Sequence, residues 1–301
     1  MSQAAPRVAH IGLGAIGLPM ALRLAGAFPV RAYDIDESRL RAAVQGGATA
    51  AASSAEAAAG SDIALLAVRD QAQVEAALFG AGGVVGAGFR GVVLLTSTIG
   101  PAAVRAIAEQ LASAGIGLVD APVSGGPVRA GEGDLLVLVG ATAEALASVR
   151  PVLERLASTL TIVGGAAGDG QVFKTINQLL AGVHIAVAAE AIALARGLGV
   201  DPQTVISALS QGAGGSFMFG DRGPRMLQAY GDGAEVKSRL DIFVKDMSIV
   251  TGVARQTRVA TPLAAAAEQL YLLADSHGLG ARDDSSVVTL LSPRDDASEV
   301  G

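Results

Sequence analysis

Short runs of consecutive apolar residues alternate with helically spaced segments through the first half of the chain. Strands that are apolar on both faces and separated by helices are typical of a parallel, doubly wound sheet, so the fold class is α/β. The alanine-rich stretches Ala48–Ala52 and Ala57–Ala59 are read as helix or surface loop. Predicted helices include Leu18–Ala25, Ser38–Val44 and Pro101–Ala114. The predicted strands are Val8–Gly12, Val30–Tyr33, Ile63–Val68, Val92–Thr96, Gly117–Val119, Leu135–Val139 and Leu160–Val163.

The strand pattern ends near Gly170, and helical periodicity continues from Gln171 to Leu291. This change predicts an all-helical second domain that the chain enters through one long helix. We place the boundary within Gly164–Gly170, which gives domains 1–166 and 167–301. Breaks that contain glycine or proline separate the later helices. They lie at Gly197–Pro202, Gly212–Gly215, Gly231–Gly233 and Thr261–Pro262.

Composition narrows the class of protein. Hydrophobic residues make up 51% and charged residues 17% of the 301 residues, which excludes a disordered chain. The 22 basic and 28 acidic residues give a formal charge of −6, so no nucleic-acid partner is expected. The absence of cysteine excludes disulfides, thiolate metal sites and a cysteine nucleophile. The three histidines are far apart in sequence, so no metal site is expected.

One stretch, Leu179–Ala195, is apolar enough to raise the question of a membrane span. It contains His184 and Glu190 and is flanked by Gln178 and Arg196. Because lipid-exposed spans seldom hold so many polar groups, we interpret the stretch as a helix buried in protein. The amino-terminal sequence MSQAAPR does not have the organisation of a signal peptide. We therefore expect a soluble, cytoplasmic protein with no membrane partner.

A G-x-G-x-x-G sequence joins the first predicted strand to the first predicted helix. Such glycines allow a tight turn and let the backbone approach a pyrophosphate at the helix N-terminus. Alone, the motif also occurs in flavin and methyl-donor proteins or serves packing. Here the second strand ends at Asp34, 20 residues beyond Gly14, and the whole unit predicts a Rossmann-type domain. The motif consists of Gly12, Leu13, Gly14, Ala15, Ile16 and Gly17.

The acidic residue at the end of the second strand favours NAD over NADP. Asp34 suits the ribose 2′-hydroxyl of NAD, and Asp36 and Glu37 would repel a 2′-phosphate. The nearest basic residues are Arg31 and Arg39, of which Arg31 could accommodate that phosphate. The expected cofactor is therefore NAD, with NADP as the alternative.

Asp120 begins a second polar segment, DAPVSGG, at the end of a predicted strand. The Ser124 hydroxyl and the N–H groups around Gly125 and Gly126 form a candidate nest for a carboxylate. An ordinary polar turn explains the same residues equally well.

Lys174, Asn177 and Gln178 occupy positions i, i+3 and i+4 of the long predicted helix, so they project from one face. The helix is so apolar that this lysine is expected to be partly buried, and burial lowers a lysine pKa toward the range of acid–base catalysis. A lysine extending from the first turn to solvent is the alternative.

These segments, in this order along nearly the whole chain, resemble the β-hydroxyacid dehydrogenase family. A later Lys-Asp pair at Lys245 and Asp246 completes the resemblance. The resemblance implies that Lys174 is the catalytic acid/base and that Ser124, Gly125 and Gly126 hold the substrate carboxylate. It places Val68, Arg69, Gln73, Thr98 and Lys245 at the cofactor, although Lys245 could equally form an i,i+4 ion pair with Asp241. The implied active site lies between the two domains.

The C-terminal half resembles the branch of that family that oxidises four-carbon sugar acids. The segments that carry this resemblance include GGSFMFGDRGPRML, LDIFVKDMSIV and DDSSVV. Asn177, Gln178 and Ser216 are the residues expected to contact the substrate hydroxyls. Other members act on 3-hydroxyisobutyrate or tartronate semialdehyde, and an imine reductase or a non-catalytic binding protein on this fold is a weaker alternative. The apolar helices suggest a homodimer or homotetramer formed through the C-terminal domain.

Overall fold

The computed structural model describes residues 5–292. The chain divides into two compact units, Met1–Lys174 and Thr175–Gly301, and each is considered by itself below. The division falls inside a long helix, whereas the sequence prediction sets the boundary at 166/167. The α/β prediction for the N-terminal part and the all-helical prediction for the C-terminal part are both confirmed.

The first unit is built on a nine-stranded sheet, counted over the described residues. Along the main path the strand order is β3-β2-β1-β4-β5-β6-β8-β7, and β9 pairs with β8. The strands are β1 Val8–Ile11, β2 Val30–Tyr33, β3 Thr49–Ala50, β4 Ile63–Leu66, β5 Val92–Leu95, β6 Gly117–Asp120, β7 Val123–Ser124, β8 Leu135–Gly140 and β9 Ala157–Gly164. The helices of this unit are α1 Gly17–Ala25, α2 Glu37–Gln45, α3 Ser54–Ala58, α4 Gln71–Phe79, α5 Pro101–Ser113, α6 Gly126–Glu132 and α7 Ala143–Leu156.

The predicted parallel pairing holds for β1 to β6, and the sheet as a whole is mixed. Strand β8 runs antiparallel to β6 and β7, while β1 to β6 pair in parallel. The segment between β7 and β8 holds only the short helix α6, and a parallel return needs a crossover of about a dozen residues or more. The interpretation of Ala48–Ala52 as helix or loop was wrong, because Thr49 and Ala50 pair with β2.

Helices cover both faces of this sheet, so central strands such as β1 and β4 are buried on both sides. Val8 on β1 belongs to one buried cluster, which includes Met20 and Leu24 of α1. Ala9 and Ile11 belong to the cluster on the other face. This alternation is the physical reason that the strands show continuous apolar runs instead of a polar face.

The second unit consists of helices over its described residues. Its long helix α8 spans Asp169–Gly197 and begins in the first unit. Helix α8 is long and apolar enough to cross a membrane, but half of its most apolar window is buried in the protein. Tyr271 is fully buried and donates a hydrogen bond of 2.7 Å to the Gly182 carbonyl of α8. The remaining helices are α9 Pro202–Leu209, α10 Phe217–Ala229, α11 Leu240–Thr257, α12 Pro262–Ser276 and α13 Val288–Leu291.

Candidate active site

The glycines of the β1–α1 loop have different physical tasks. A Cβ on Gly12, whose φ is +93°, would lie 2.7 Å from the Ala67 carbonyl oxygen. A Cβ on Gly17 would lie 2.2 Å from the Gly12 carbonyl oxygen, so both glycines permit close packing of loop, helix and strand β4. A Cβ on Gly14 would meet no described atom within 4 Å. Gly14 therefore leaves the outer face of the loop open to the approach of a pyrophosphate, as NAD requires.

Asp34 follows β2 and is tied to the glycine-rich loop. Its carboxylate accepts a hydrogen bond of 2.5 Å from the Leu13 N–H and one of 2.8 Å from the Asp36 N–H. The two arginines nearest to Asp34 in sequence each contact another residue of the protein. Arg31 donates to the Ala59 carbonyl at 2.8 Å, and Arg39 lies 3.3 Å from the Asp36 carboxylate. The residues present thus fit a nucleotide whose ribose carries free hydroxyls.

Loops at the carboxyl ends of β4 and β5 carry further predicted cofactor positions. The Val68 N–H donates to the Ser97 hydroxyl at 3.0 Å, which joins the two loops directly beside Thr98. The Arg69 N–H donates to the Gln73 side-chain oxygen at 3.0 Å.

The DAPVSGG segment runs from the end of β6 through β7, and its last residues turn into α6. Gly125 and Gly126 have φ values of +149° and +78°, which favour glycine, and a Cβ on Gly126 would meet no atom of the described residues within 4 Å. Ser124 lies on β7, paired with Leu136 of β8. The turn thus combines a hydroxyl with backbone N–H groups at a strand end, a combination that suits a carboxylate.

Sequence reasoning assigned no role to two buried residues beside this turn. Asp120 ends β6 and accepts hydrogen bonds from the α8 N-terminus and from the Gln171 side chain. Burial raises the Asp120 pKa to about 6, against the opposing effect of those hydrogen bonds. A glutamine placed three residues before the candidate catalytic lysine was the only signal available for Gln171.

Lys174 lies in the first turns of α8 and has 6% of its surface exposed, so the expected burial is confirmed. On the next turn of the same helix, the Asn177 amide donates to the Gln178 oxygen at 2.8 Å. The Gln178 amide donates to Asp246 at 2.5 Å, and the Lys245 amine lies 2.8 Å from the same carboxylate. Asp246, which the sequence presented only as the second residue of a Lys-Asp pair, thus holds predicted residues from α8 and α11 together.

Lys245 shares α11 with two acidic residues, Asp241 and Asp246. The Lys245 amine forms an ion pair with Asp246, and the Asp241 carboxylate forms one with Arg239; these contacts are compatible with an additional i,i+4 interaction between Lys245 and Asp241. This geometry leaves the proposed cofactor role of Lys245 a prediction.

Ser216 is placed by helix α10. Its hydroxyl caps the helix by accepting a hydrogen bond of 3.0 Å from the Phe219 N–H. It also lines a cavity of about 490 Å³ in the second unit, together with Gln211, Phe217 and Asp221. Its predicted contact with substrate stays a prediction.

Comparison with known proteins gives two adjacent family matches. Residues 7–165 match the NAD-binding domain of 6-phosphogluconate dehydrogenase. Residues 168–291 match the family described as NAD-binding of NADP-dependent 3-hydroxyisobutyrate dehydrogenase. The two matches follow one another along the chain and together cover most of it.

Individual relatives are similar over nearly their full length. L-threonate dehydrogenase from Cupriavidus necator is 40% identical over 93% of this chain and 94% of its own. 2-(Hydroxymethyl)glutarate dehydrogenase from Eubacterium barkeri is 32% identical over 94% of this chain and 93% of its own. The crystal structure of a 3-hydroxyisobutyrate dehydrogenase from Salmonella typhimurium is 35% identical, covers 94% of this chain and 99% of its own, and has a TM-score of 0.86.

Proposed function

Since the chain belongs to the β-hydroxyacid dehydrogenase family, we propose that it oxidises L-threonate to 2-oxotetronate (2-dehydro-L-erythronate). That it is an NAD-binding oxidoreductase acting on CH–OH groups follows from the family itself. The observation that carries the finer proposal is the buried Lys174, one helical turn before Asn177 and Gln178, in a chain 40% identical to an L-threonate dehydrogenase.

When bound, NAD supplies the hydride acceptor for an alcohol oxidation. The protein's own part begins with Ser124 and the Gly125 and Gly126 N–H groups, which fix the substrate carboxylate. The buried Lys174 amine takes the proton of the reacting hydroxyl. Asn177 orients the lysine or a substrate hydroxyl, while Gln178, held by Asp246, fixes Asn177.

L-Threonate should be oxidised with a kcat/KM at least about tenfold above that for 3-hydroxyisobutyrate. The methyl-bearing acid has fewer hydroxyls, so polar side chains of the site would be left without partners when it binds. NAD reduction across hydroxy acids of three to five carbons measures this. The alternative activity, 3-hydroxyisobutyrate oxidation, is favoured by the similarity to the Salmonella typhimurium 3-hydroxyisobutyrate dehydrogenase. If 3-hydroxyisobutyrate or glycerate is the better substrate, the family assignment stands and the substrate proposal fails.

Ser216 variants separate substrate recognition from helix capping. Ser216→Ala removes both the hydroxyl and the cap of α10, whereas Ser216→Asn keeps a side chain of equal capping quality. We expect both variants to lose the preference for threonate and only Ser216→Ala to lose thermal stability. A full threonate preference in Ser216→Asn would show that the hydroxyl does not contact the substrate.

NAD should be used with a higher kcat/KM than NADP. The Asp34 carboxylate would pair with the ribose hydroxyls and repel a 2′-phosphate. Asp34→Ala should weaken NAD binding and narrow the discrimination, as titration calorimetry with both cofactors would show. Asp232→Ala removes an exposed carboxylate of the second unit and serves as the control. Equal use of both cofactors by the unaltered enzyme would contradict this assignment.

We further propose that the protein is a cytoplasmic homodimer or homotetramer assembled through α8. Ile176, Leu180, Val187 and Leu194 are each at least half exposed and recur every four or seven residues along one face of the helix. Leu180→Glu with Leu194→Glu should give a monomer in light scattering after gel filtration. Leu209→Glu, at an equally exposed leucine of α9, is the control. A monomeric parent protein, or recovery in the membrane pellet, would contradict the proposal.

A further inference from the structure

The side-chain amide of Gln171 is fully buried and uses all of its hydrogen-bonding capacity. Its oxygen accepts from the Ile99 and Gly100 N–H groups, each at 3.1 Å. Its nitrogen donates to the Ser97 carbonyl at 3.0 Å and to the Asp120 carboxylate at 2.9 Å. A side-chain amide has two acceptor positions on its oxygen and two N–H donors on its nitrogen. Glutamine is the side chain that has this set of groups and is long enough to pair with all four partners.

Asp120 completes the arrangement from the other side. One carboxylate oxygen accepts from the Gly168 N–H at 3.0 Å and from the Gln171 N–H at 2.9 Å. A Cβ on Gly170 would lie 2.9 Å from the Asp120 carbonyl oxygen, so the helix begins against the end of β6. The negative carboxylate at the N-terminus of α8 satisfies N–H groups that the helix itself leaves unpaired. This carboxylate and the Gln171 amide together are called the α8 clamp below.

The hydrogen bonds of the α8 clamp connect to backbone segments that contain residues of the candidate active site. Ser97, Ile99 and Gly100 flank Thr98, a predicted cofactor position. The Ser97 hydroxyl accepts from the Val68 N–H, which belongs to another such position. At the other end, Lys174 follows Gln171 by three residues, less than one turn of a continuous helix.

We infer that Asp120 and Gln171 are positioning residues, which set the first turn of α8, and with it Lys174, against the segment that carries Thr98. The inference rests on the proposed function for the reaction that Lys174 serves. A helix start that shifts or rotates carries the lysine with it. A misplacement of about 1 Å in a reacting geometry lowers a rate by about a hundredfold.

Variants of Gln171 test the inference. Gln171→Met keeps the length and loses all four bonds, and we expect kcat to fall by about tenfold to a hundredfold. The affinity for NAD, measured by titration, should change by less than about threefold because the glycine-rich loop is untouched. Rates are expressed per NAD-binding site, so unfolded protein does not contribute. Thr96→Val is the control, since it removes a buried bond to the Leu66 carbonyl in the same unit and should keep its kcat.

Exchanging the Gln171 amide and the Asp120 carboxylate tests whether the lost activity can be rescued. Gln171→Glu alone places two carboxylates together, and kcat should fall. The double variant Asp120→Asn with Gln171→Glu restores an amide–carboxylate bond with the donor reversed, while the Ser97 carbonyl still lacks its donor. We expect the kcat of the double variant to be about tenfold higher than that of Gln171→Glu. A kcat within twofold of the parent in Gln171→Met, or a double variant no better than Gln171→Glu, would overturn the inference.

Hydrogen exchange gives a readout that needs no substrate. In Gln171→Met, amides of 97–100 and 168–174 should exchange faster together, by about tenfold or more, while other strands are unchanged. Unaltered exchange in 97–100 would refute the clamp whatever the activity. If the parent oxidises none of the hydroxy acids, the proposed function fails, and the exchange result still decides whether the clamp joins the two segments.

Discussion

Replacing Lys174 with alanine should lower kcat by about a hundredfold to ten-thousandfold, the usual contribution of a positioned acid/base. The lysine is buried on α8 and is proposed to take the hydroxyl proton of the substrate. NAD binding should be nearly unchanged, because the glycine-rich loop and Asp34 lie on other elements of the first unit. Steady-state NAD reduction with threonate and titration of NAD measure the two effects separately.

Because the chain has few lysines, a control variant for Lys174 is simple to choose. The chain has three, and Lys237 is exposed, so Lys237→Ala should keep full activity. Lys174→Arg should fail to restore turnover, since a guanidinium does not give up its proton at working pH. Substantial activity in either Lys174 variant, with the lysine removed, would refute its role as acid/base.

His10→Leu should stabilise the protein, and more so as the pH falls. His10 lies in the middle of β1 with 0% exposure, and neither ring nitrogen has a hydrogen-bond partner among the described residues. Burial lowers its pKa from 6.5 to about 3. At neutral pH, removing an unsatisfied buried polar group should contribute about 1–3 kcal/mol to the free energy of unfolding.

The pH dependence follows from proton linkage. Between pH 6.5 and about 3, the unfolded histidine binds a proton that the folded one does not, so stability falls as the pH falls through this window. One pKa unit corresponds to about 1.36 kcal/mol, so the loss reaches about 2 kcal/mol at pH 5. In His10→Leu this contribution is absent, and its advantage over the parent should grow by that amount.

Urea unfolding at pH 7.5, 6 and 5 measures both effects. His277→Leu, at an exposed position after α12, is the matched control and should not flatten the pH dependence. An identical pH dependence in His10→Leu and the parent would mean that His10 does not resist protonation in the folded state.

Much of the candidate site could be predicted because its signals are local. The glycine-rich loop and Asp34 belong to one β-α-β unit. The regular geometry of such a unit brings residues at this separation in sequence close together in the fold. Lys174, Asn177 and Gln178 share one helix, where positions i, i+3 and i+4 always project together. Breaks at glycine and proline similarly anticipated where α8 ends and where α9 and α12 begin.

The missed features depend on partners that are distant in sequence. Gln171 and Asp120 are 51 residues apart, and Gln178 and Asp246 are 68 apart, so no periodicity links them. The two-residue strand β3 has no apolar pattern of its own and exists because β2 offers backbone partners.

The sequence by itself thus determined the fold class, the change from α/β to helices and the short-range motifs, because backbone propensity and hydrophobic period act over a few residues. Only the tertiary structure decided the antiparallel placement of β8, the α8 clamp and the isolation of His10 within the core. These features arise when distant segments pack and each buried polar group either finds a partner or does not. Gln171 found four partners, whereas His10 found none among the described residues.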